Sequence, residues 1–150
     1  MNSENTTDLA VVSSTADADK AMAGLSGSRQ KFMTTLDRSS DEGQLALYNA
    51  MTEALPLTDH LNTAIDLVGY TAQIVEFNNE EKEKQEGIRL ILTDANGVSF
   101  SCMSDGIMKS IETLVGVYGD PSSWKSPKRV KAVEEGKKPR AYLTLKAVSK

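Results

Sequence analysis

The sequence has very few of the residues that build disulfides, metal sites and most catalytic centres. It contains one cysteine, Cys102, and one histidine, His60, in 150 residues. One cysteine excludes an intramolecular disulfide, and the two residues form no ligand-spaced metal cluster. No serine or cysteine motif offers a nucleophile to His60, so we interpret it as an ordinary surface residue. We expect no enzymatic activity, no metal and no cofactor.

Long hydrophobic runs are also lacking. No apolar segment approaches the ~20 residues needed to cross a bilayer, and the N-terminus has no basic segment followed by an apolar one. This predicts no membrane association and a cytoplasmic protein. With 39% hydrophobic residues the chain can bury one core, and Cys102 is expected to be an inert thiol within it.

Positive charge is scarce until the last 30 residues. Residues 1–120 carry 8 Lys/Arg and 19 Asp/Glu, whereas residues 121–150 carry 9 and 2, so the net charges of −11 and +7 sum to −4. Electrostatic attraction depends on where charge lies, so this asymmetry favours a local patch for an anionic partner. The alternative is a solvated basic tail.

A hairpin followed by a helix is the clearest structural signal. Residues 88–93 and 98–103 are β-type runs, and the Asn96-Gly97 pair between them tolerates the positive φ values of a tight turn. Ser104 then offers an N-cap oxygen, and apolar residues recur at three- and four-residue spacing until Gly119. This predicts two strands and an amphipathic helix.

Three further strands are predicted around this unit. Residues 61–77 form a long β-type segment in which Gly69 indicates a bend, and a charged loop at residues 78–87 follows. Residues 128–133 and 140–148 supply two strands beyond the helix. The order of three strands, a helix and two strands predicts a mainly β protein with a five-stranded oligonucleotide/oligosaccharide-binding (OB) barrel.

The first 40 residues are predicted to form a flexible polar arm, because their few apolar residues cannot offset the entropy cost of ordering. A weak helix is expected at residues 30–36. Ser39 and Glu42 fit a capping box for a short helix that ends before Pro56. Its packed face is expected to carry Leu45, Tyr48, Thr52 and Leu55. The OB-like domain would then span residues 41–150.

Basic and aromatic residues alternate in the two C-terminal strands. Single strands of nucleic acid are held by cations along the backbone and by rings that stack on the bases, each stack contributing roughly 1–3 kcal/mol. The turn between the last two strands is one of two loops with which OB-folds bind oligonucleotides. The candidate nucleic-acid-binding residues are Tyr70, Phe77, Arg89, Trp124, Lys128, Arg129, Lys131, Lys137, Lys138, Arg140, Tyr142 and Lys146.

Several aromatic residues have alternative structural roles. Trp124 could equally close the open end of the barrel. Because the strand bends at Gly69, the pattern does not determine on which side of the sheet Tyr70 and Phe77 lie. Phe100 shares its side of the strand with apolar residues and is expected in the core. Tyr48 and Tyr118 lie on apolar helical faces and are expected to be packed.

A resemblance to a known family adds to this interpretation. Residues 42–50 (EGQLALYNA), Ala72-Gln73, residues 94–97 (DANG) and the following helix resemble the single-stranded DNA-binding proteins of small tailed phages that replicate by protein priming. The resemblance covers roughly residues 41–150. It implies an OB-fold protein that coats and protects displaced single-stranded DNA in the host cytoplasm, without enzymatic activity. It also makes the tyrosines plausible contacts and replication proteins candidate partners.

Two features of the sequence differ from known single-strand binders. The arm before residue 41 is longer than expected and could carry an oligomerisation or partner site. The basic C-terminal segment differs from the acidic tail with which bacterial single-strand binders recruit partners. The alternative function is a non-enzymatic interaction module whose basic C-terminal strands dock on an acidic protein.

Overall fold

A computed structural model describes residues 15–27 and 31–149. The chain divides into two compact units, residues 1–31 and residues 32–150. The described part of the first unit contains helix α1 (Thr15–Leu25). Residues 1–14 and 28–30 of the predicted arm lie outside the described residues, so its flexibility stays a prediction.

A curled, half-barrel sheet dominates the second unit. Within the described residues it has seven strands: β1 (Phe32–Thr34), β2 (Leu55–Pro56), β3 (Ala64–Asn78), β4 (Lys84–Asp94), β5 (Ser99–Cys102), β6 (Lys128–Glu135) and β7 (Tyr142–Ala147). Their order is β2-β5-β4-β3-β6-β7, and β1 pairs with β3. All pairs are antiparallel except β2 with β5. The prediction of a mainly β, barrel-like fold is confirmed.

Two helices accompany the sheet in this unit. Helix α2 (Asp41–Glu53) precedes β2, and helix α3 (Asp105–Tyr118) connects β5 to β6. Short 3₁₀ turns occupy Leu57–His60 and Pro121–Ser123. None of the helices in the described part of the chain is long and apolar enough to cross a membrane.

The number of strands differs from the prediction. The five predicted strands correspond to β3 through β7, but β1 and β2 add to the same sheet. The helix expected at residues 30–36 is wrong, because Phe32–Thr34 is a strand in which Met33 pairs with Ala72; Gln30 lies outside the described residues. Strands of two or three residues depend on distant partners and leave little local signal.

Strand β3 bends where the sequence indicated. Its pairing with β4 shifts register between Leu67 and Gly69. A Cβ at Gly69 would lie 2.7 Å from the hydroxyl of Thr35. The bulge lets β3 pair with β6 over residues 64–67 and with β1 over residues 71–73. One long strand therefore pairs with β6 near its start and with β1 near its middle.

The hairpin and the helix that follows it are confirmed. Gly97 has a φ of +83°, and the carboxylate of Asp94 accepts hydrogen bonds from the backbone N–H groups of Asn96 and Val98. At the start of α3, the N–H of Ile107 donates to the hydroxyl of Ser104 over 3.2 Å. The turn at Asn96-Gly97 and the cap at Ser104 are the features that the sequence pattern predicted, and the two hydrogen bonds to Asp94 are added by the structure.

Half of the loop predicted at residues 78–87 is strand. Strand β3 runs to Asn78 and β4 begins at Lys84, so residues 79–83 alone connect them. The charged side chains of this segment are exposed and stay hydrated, so they do not prevent strand pairing. The prediction of a loop is correct only for residues 79–83.

The predicted cap and packed face of helix α2 were wrong. Ser40, not Ser39, caps the helix by accepting a hydrogen bond from the N–H of Gly43. Leu45 and Tyr48 are 62% and 68% exposed, whereas Leu47 is 8% exposed and Ala50 is fully buried. Thr52 is exposed and Leu55 is 41% exposed. The helix contacts β4 and β5 with its opposite face.

The core is formed by residues of the sheet, of helix α3 and of the turn at Leu57. Its buried members are Leu57, Ile65, Leu67, Leu90, Leu92, Phe100, Ile107, Ile111, Val130 and Ala132. Phe100 is therefore in the core, as predicted. Cys102 is half-buried at its margin, and burial raises the pKa of its thiol. His60 packs edge-on against Phe100, with 5.1 Å between ring centroids, and is less exposed than expected.

Candidate nucleic-acid interface

Strands β6 and β7 with their connecting residues 136–141 form a basic hairpin. Lys131 pairs with Lys146 in the strand register, and Glu135 pairs with Tyr142, so these side chains share one face. Lys137, Lys138 and Arg140 are exposed in the connecting turn. The fold thus brings together six of the twelve candidate residues: Lys131, Lys137, Lys138, Arg140, Tyr142 and Lys146.

Two cations of this region are already paired with carboxylates. Arg129 forms a bidentate bond with Asp66, with 2.8 Å from Nε to Oδ1. Lys146 lies 2.8 Å from the carboxylate of Glu135. Each pair raises the pKa of its base, first by the hydrogen bond and then by the charge of the acid. None of the ion pairs among residues 31–149 involves Lys137, Lys138 or Arg140.

Tyr142 lies between the basic turn and an apolar groove. Its side chain is 55% exposed, and its ring lies close to Gly136 in the turn. The groove, about 730 Å³ in volume, runs between α3 and β7. Leu114, Leu143 and Leu145 line it, together with Tyr142 and Tyr118. Two rings therefore border one apolar depression.

Helix α3 closes the outer edge of β7 at this groove. The hydroxyl of Ser110 accepts a hydrogen bond from the N–H of Leu145 over 3.0 Å and lies 2.9 Å from the hydroxyl of Thr144. A Cβ at Gly106 would overlap the carbonyl oxygen of Leu143. These contacts hold β7 in place, and none of the strands among residues 31–149 pairs with that edge.

Trp124 belongs to an aromatic cluster that shares Tyr118 with the groove. Its ring lies edge-on to Tyr118, with 6.5 Å between centroids, and its indole N–H donates to the carbonyl of Gly119. The ammonium of Lys128 lies 4.7 Å from the Tyr118 centroid and 5.9 Å from the Trp124 centroid. Tyr118 is 45% exposed, so the prediction that it is packed was wrong.

The remaining three candidates lie away from the basic hairpin. Tyr70 is half-buried among core residues, and burial followed by the charge of Asp120 raises its pKa. Phe77 lies on the projecting part of the β3–β4 hairpin, close to Gly87. The guanidinium of Arg89 donates to the carbonyl of Met51 near the end of α2 and to Gln73. The fold does not bring these three to one surface with Tyr142.

Sequence reasoning missed two side chains of the groove, Tyr118 and Lys109. Both lie on α3, which the sequence suggested only as a packed amphipathic helix. The spacing of Lys109, Thr113 and Val117 marks a helical stripe beside the buried one. A search for a second stripe on the helix, beside the apolar one, could have found these residues. Among the described residues, no cluster of three or more His, Cys, Asp or Glu side chains could hold a metal ion.

Comparison with known families identifies the chain. The family model described as phage single-stranded DNA-binding protein matches residues 26–147, which is more than half of the sequence. The chain belongs to this family. Single-stranded DNA is accordingly its ligand class, and the family resemblance predicted from the sequence is confirmed. No curated protein and no solved structure matches the chain significantly.

Proposed function

We propose that this phage single-stranded DNA-binding protein coats and protects displaced strands during DNA replication, with the basic hairpin as its DNA surface. The observation that supports this surface most directly is the position of Tyr142. An exposed ring lies beside three exposed cations, Lys137, Lys138 and Arg140. This is the combination that single-strand binding requires.

The strand order supports an OB-like arrangement for this function. Strand β3 lies between β4 and β6, so the order β5-β4-β3-β6-β7 has the first predicted barrel strand at its centre. Helix α3 follows the third of these strands, as in the predicted OB order. The turn at residues 136–141 then corresponds to the binding loop between the last two strands.

Binding would combine charge neutralisation with stacking and would not depend on sequence. Phosphates would contact the turn cations first, because no carboxylate of residues 31–149 forms an ion pair with them. A base would stack on Tyr142, and a neighbouring base could enter the apolar groove beside it. Phosphate and ring contacts are available on any sequence. Duplex DNA keeps its bases stacked internally and would offer only the phosphates.

Fluorescence anisotropy of a labelled oligo-dT tests this function. The full chain is titrated into the oligonucleotide at low and moderate salt, and into a duplex of equal length. We expect tight, salt-sensitive binding of the single strand and weaker binding of the duplex. Equal affinity for both would contradict the stacking contribution, and no binding at low salt would contradict the function itself.

A further inference from the structure

The β3–β4 hairpin continues past its neighbours as a two-stranded ribbon. Residues 74–78 pair with residues 84–88, whereas β1 leaves β3 at Gln73 and β5 leaves β4 at Leu90. Among residues 31–149, no further strand pairs with the outer edges of this segment. We call residues 74–88 the acidic ribbon, because five Glu and two Lys give it a net charge of −3.

One face of the acidic ribbon carries an exposed apolar pair and a pair of like charges. Ile74 lies opposite Ile88, and the two side chains are 45% and 39% exposed. Glu76 lies directly opposite Glu86 on the same face. Like charges at opposed positions repel, and the isoleucines still expose apolar surface that a partner could bury. A partner that supplied cations beside an apolar contact would relieve both.

DNA does not fit this surface, because glutamates repel phosphates. The surface of complementary charge is the basic hairpin of the same protein, whose residues 128–147 carry seven Lys/Arg and two Glu, a net charge of +5. Its turn presents exposed cations beside the ring of Tyr142. Cations and an apolar side chain therefore occur there together.

We propose that the acidic ribbon of one copy docks on the basic hairpin of a second copy. The contact uses different surfaces on the two partners, so it is a head-to-tail interface. Complementary charge makes the association sensitive to salt. The docking does not depend on the proposed DNA surface, although single-stranded DNA would compete for the same hairpin if that proposal holds.

Sedimentation velocity of the full chain without DNA provides the first test. We expect self-association at low salt that is lost at high salt. A wild-type protein that stays monomeric at low salt and high concentration would overturn the proposal. Because DNA is absent, this result is independent of whether the basic hairpin binds single strands.

Charge reversal locates the interface. Glu76→Lys with Glu86→Lys should weaken association by more than about tenfold, because like charges would then face each other across the interface. The matched control, Glu53→Lys with Glu112→Lys, makes the same net change on exposed helical positions and should associate as the wild type or more tightly. Equal loss in both variants would assign the effect to net charge and overturn the proposal.

A mixture of two variants tests the identity of the partner. Lys137→Glu with Lys138→Glu should also weaken self-association, and mixing this variant with the reversed ribbon should restore a complex, since opposite charges again meet. Failure of the mixture to associate would assign the ribbon to another partner and overturn the second-copy proposal.

One single substitution separates docking from ribbon stability. Glu86→Lys places opposite charges across the ribbon at Glu76, so it should raise the melting temperature while it weakens self-association. If the glutamates had only a structural role, the melting temperature and the strength of self-association would change in the same direction. Unchanged association in this variant would contradict the proposal.

Discussion

Lys146 and Glu135 form an ion pair along the face of the basic hairpin, with 2.8 Å between Nζ and Oε1. The register pair Val133 and Thr144 lies between them, so both side chains reach along the strands to meet. A phosphate that binds Lys146 must first displace the carboxylate. The pair therefore lowers the affinity that this cation can contribute.

Glu135→Gln should raise the affinity for single-stranded DNA, because it releases Lys146. Because an exposed ion pair is individually weak, the expected increase is no more than a few-fold. Anisotropy with oligo-dT over a range of salt concentrations measures it. Glu134→Gln is the matched control, since it changes the net charge equally at an exposed neighbour without a described ion pair. Equal gains in both variants would show that net charge alone matters.

Tyr142→Ala should weaken binding by about the contribution of one stacked base, roughly 1–3 kcal/mol. The side chain is exposed, so the folded state should be preserved, as circular dichroism would verify. Tyr142→Phe keeps the ring and should bind nearly as the wild type. Tyr48→Ala removes another exposed tyrosine, from helix α2, and should leave affinity unchanged. Full affinity in Tyr142→Ala would place stacking elsewhere.

Elements with local signals were predictable from the sequence, whereas elements defined by distant contacts were not. The turn at Asn96-Gly97, the cap at Ser104 and the alternation in β7 each act within a few residues. Strand β1 exists through its pairing with β3, and its three residues have no distinctive pattern. The turn between β6 and β7 was predictable because apolar and polar residues alternate clearly in the strand that follows it.

The same distinction applies within the candidate site. The sequence identified the cations of the basic hairpin, but it could not show which of them carboxylates neutralise. Asp66 is 63 positions from Arg129, and only the β3–β6 register brings them together. Arg89 is a second example. Its hydrogen bond to Met51, near the end of α2, depends on which face of that helix packs against the sheet, and the sequence did not predict that face correctly. Its role in DNA binding stays a prediction.

Lys137→Gln with Lys138→Gln should reduce the salt dependence of binding. Each lost phosphate contact lowers the slope of log K against log salt by about 0.7 for single strands, so two contacts lower it by about 1.4. Titrations at several salt concentrations give the slope. The control Lys82→Gln with Lys84→Gln removes the same charge from the acidic ribbon and should keep the wild-type slope. A wild-type slope in the turn variant would exclude both lysines as phosphate contacts.

Gly106→Ala should destabilise the protein, because its Cβ would overlap the carbonyl oxygen of Leu143 and force α3 away from β7. Overpacking of this kind costs roughly 1–3 kcal/mol. Urea denaturation measures the free energy of unfolding.

Gly116→Ala is the control on the same helix. A Cβ at Gly116 meets no atom within 4 Å, so this substitution should stabilise the helix by up to about 1 kcal/mol. Opposite signs for the two glycines would confirm that close approach, not helix propensity, requires Gly106. A stabilising Gly106→Ala would show that α3 does not hold the edge of β7, and the groove beside Tyr142 would then lose its fixed wall.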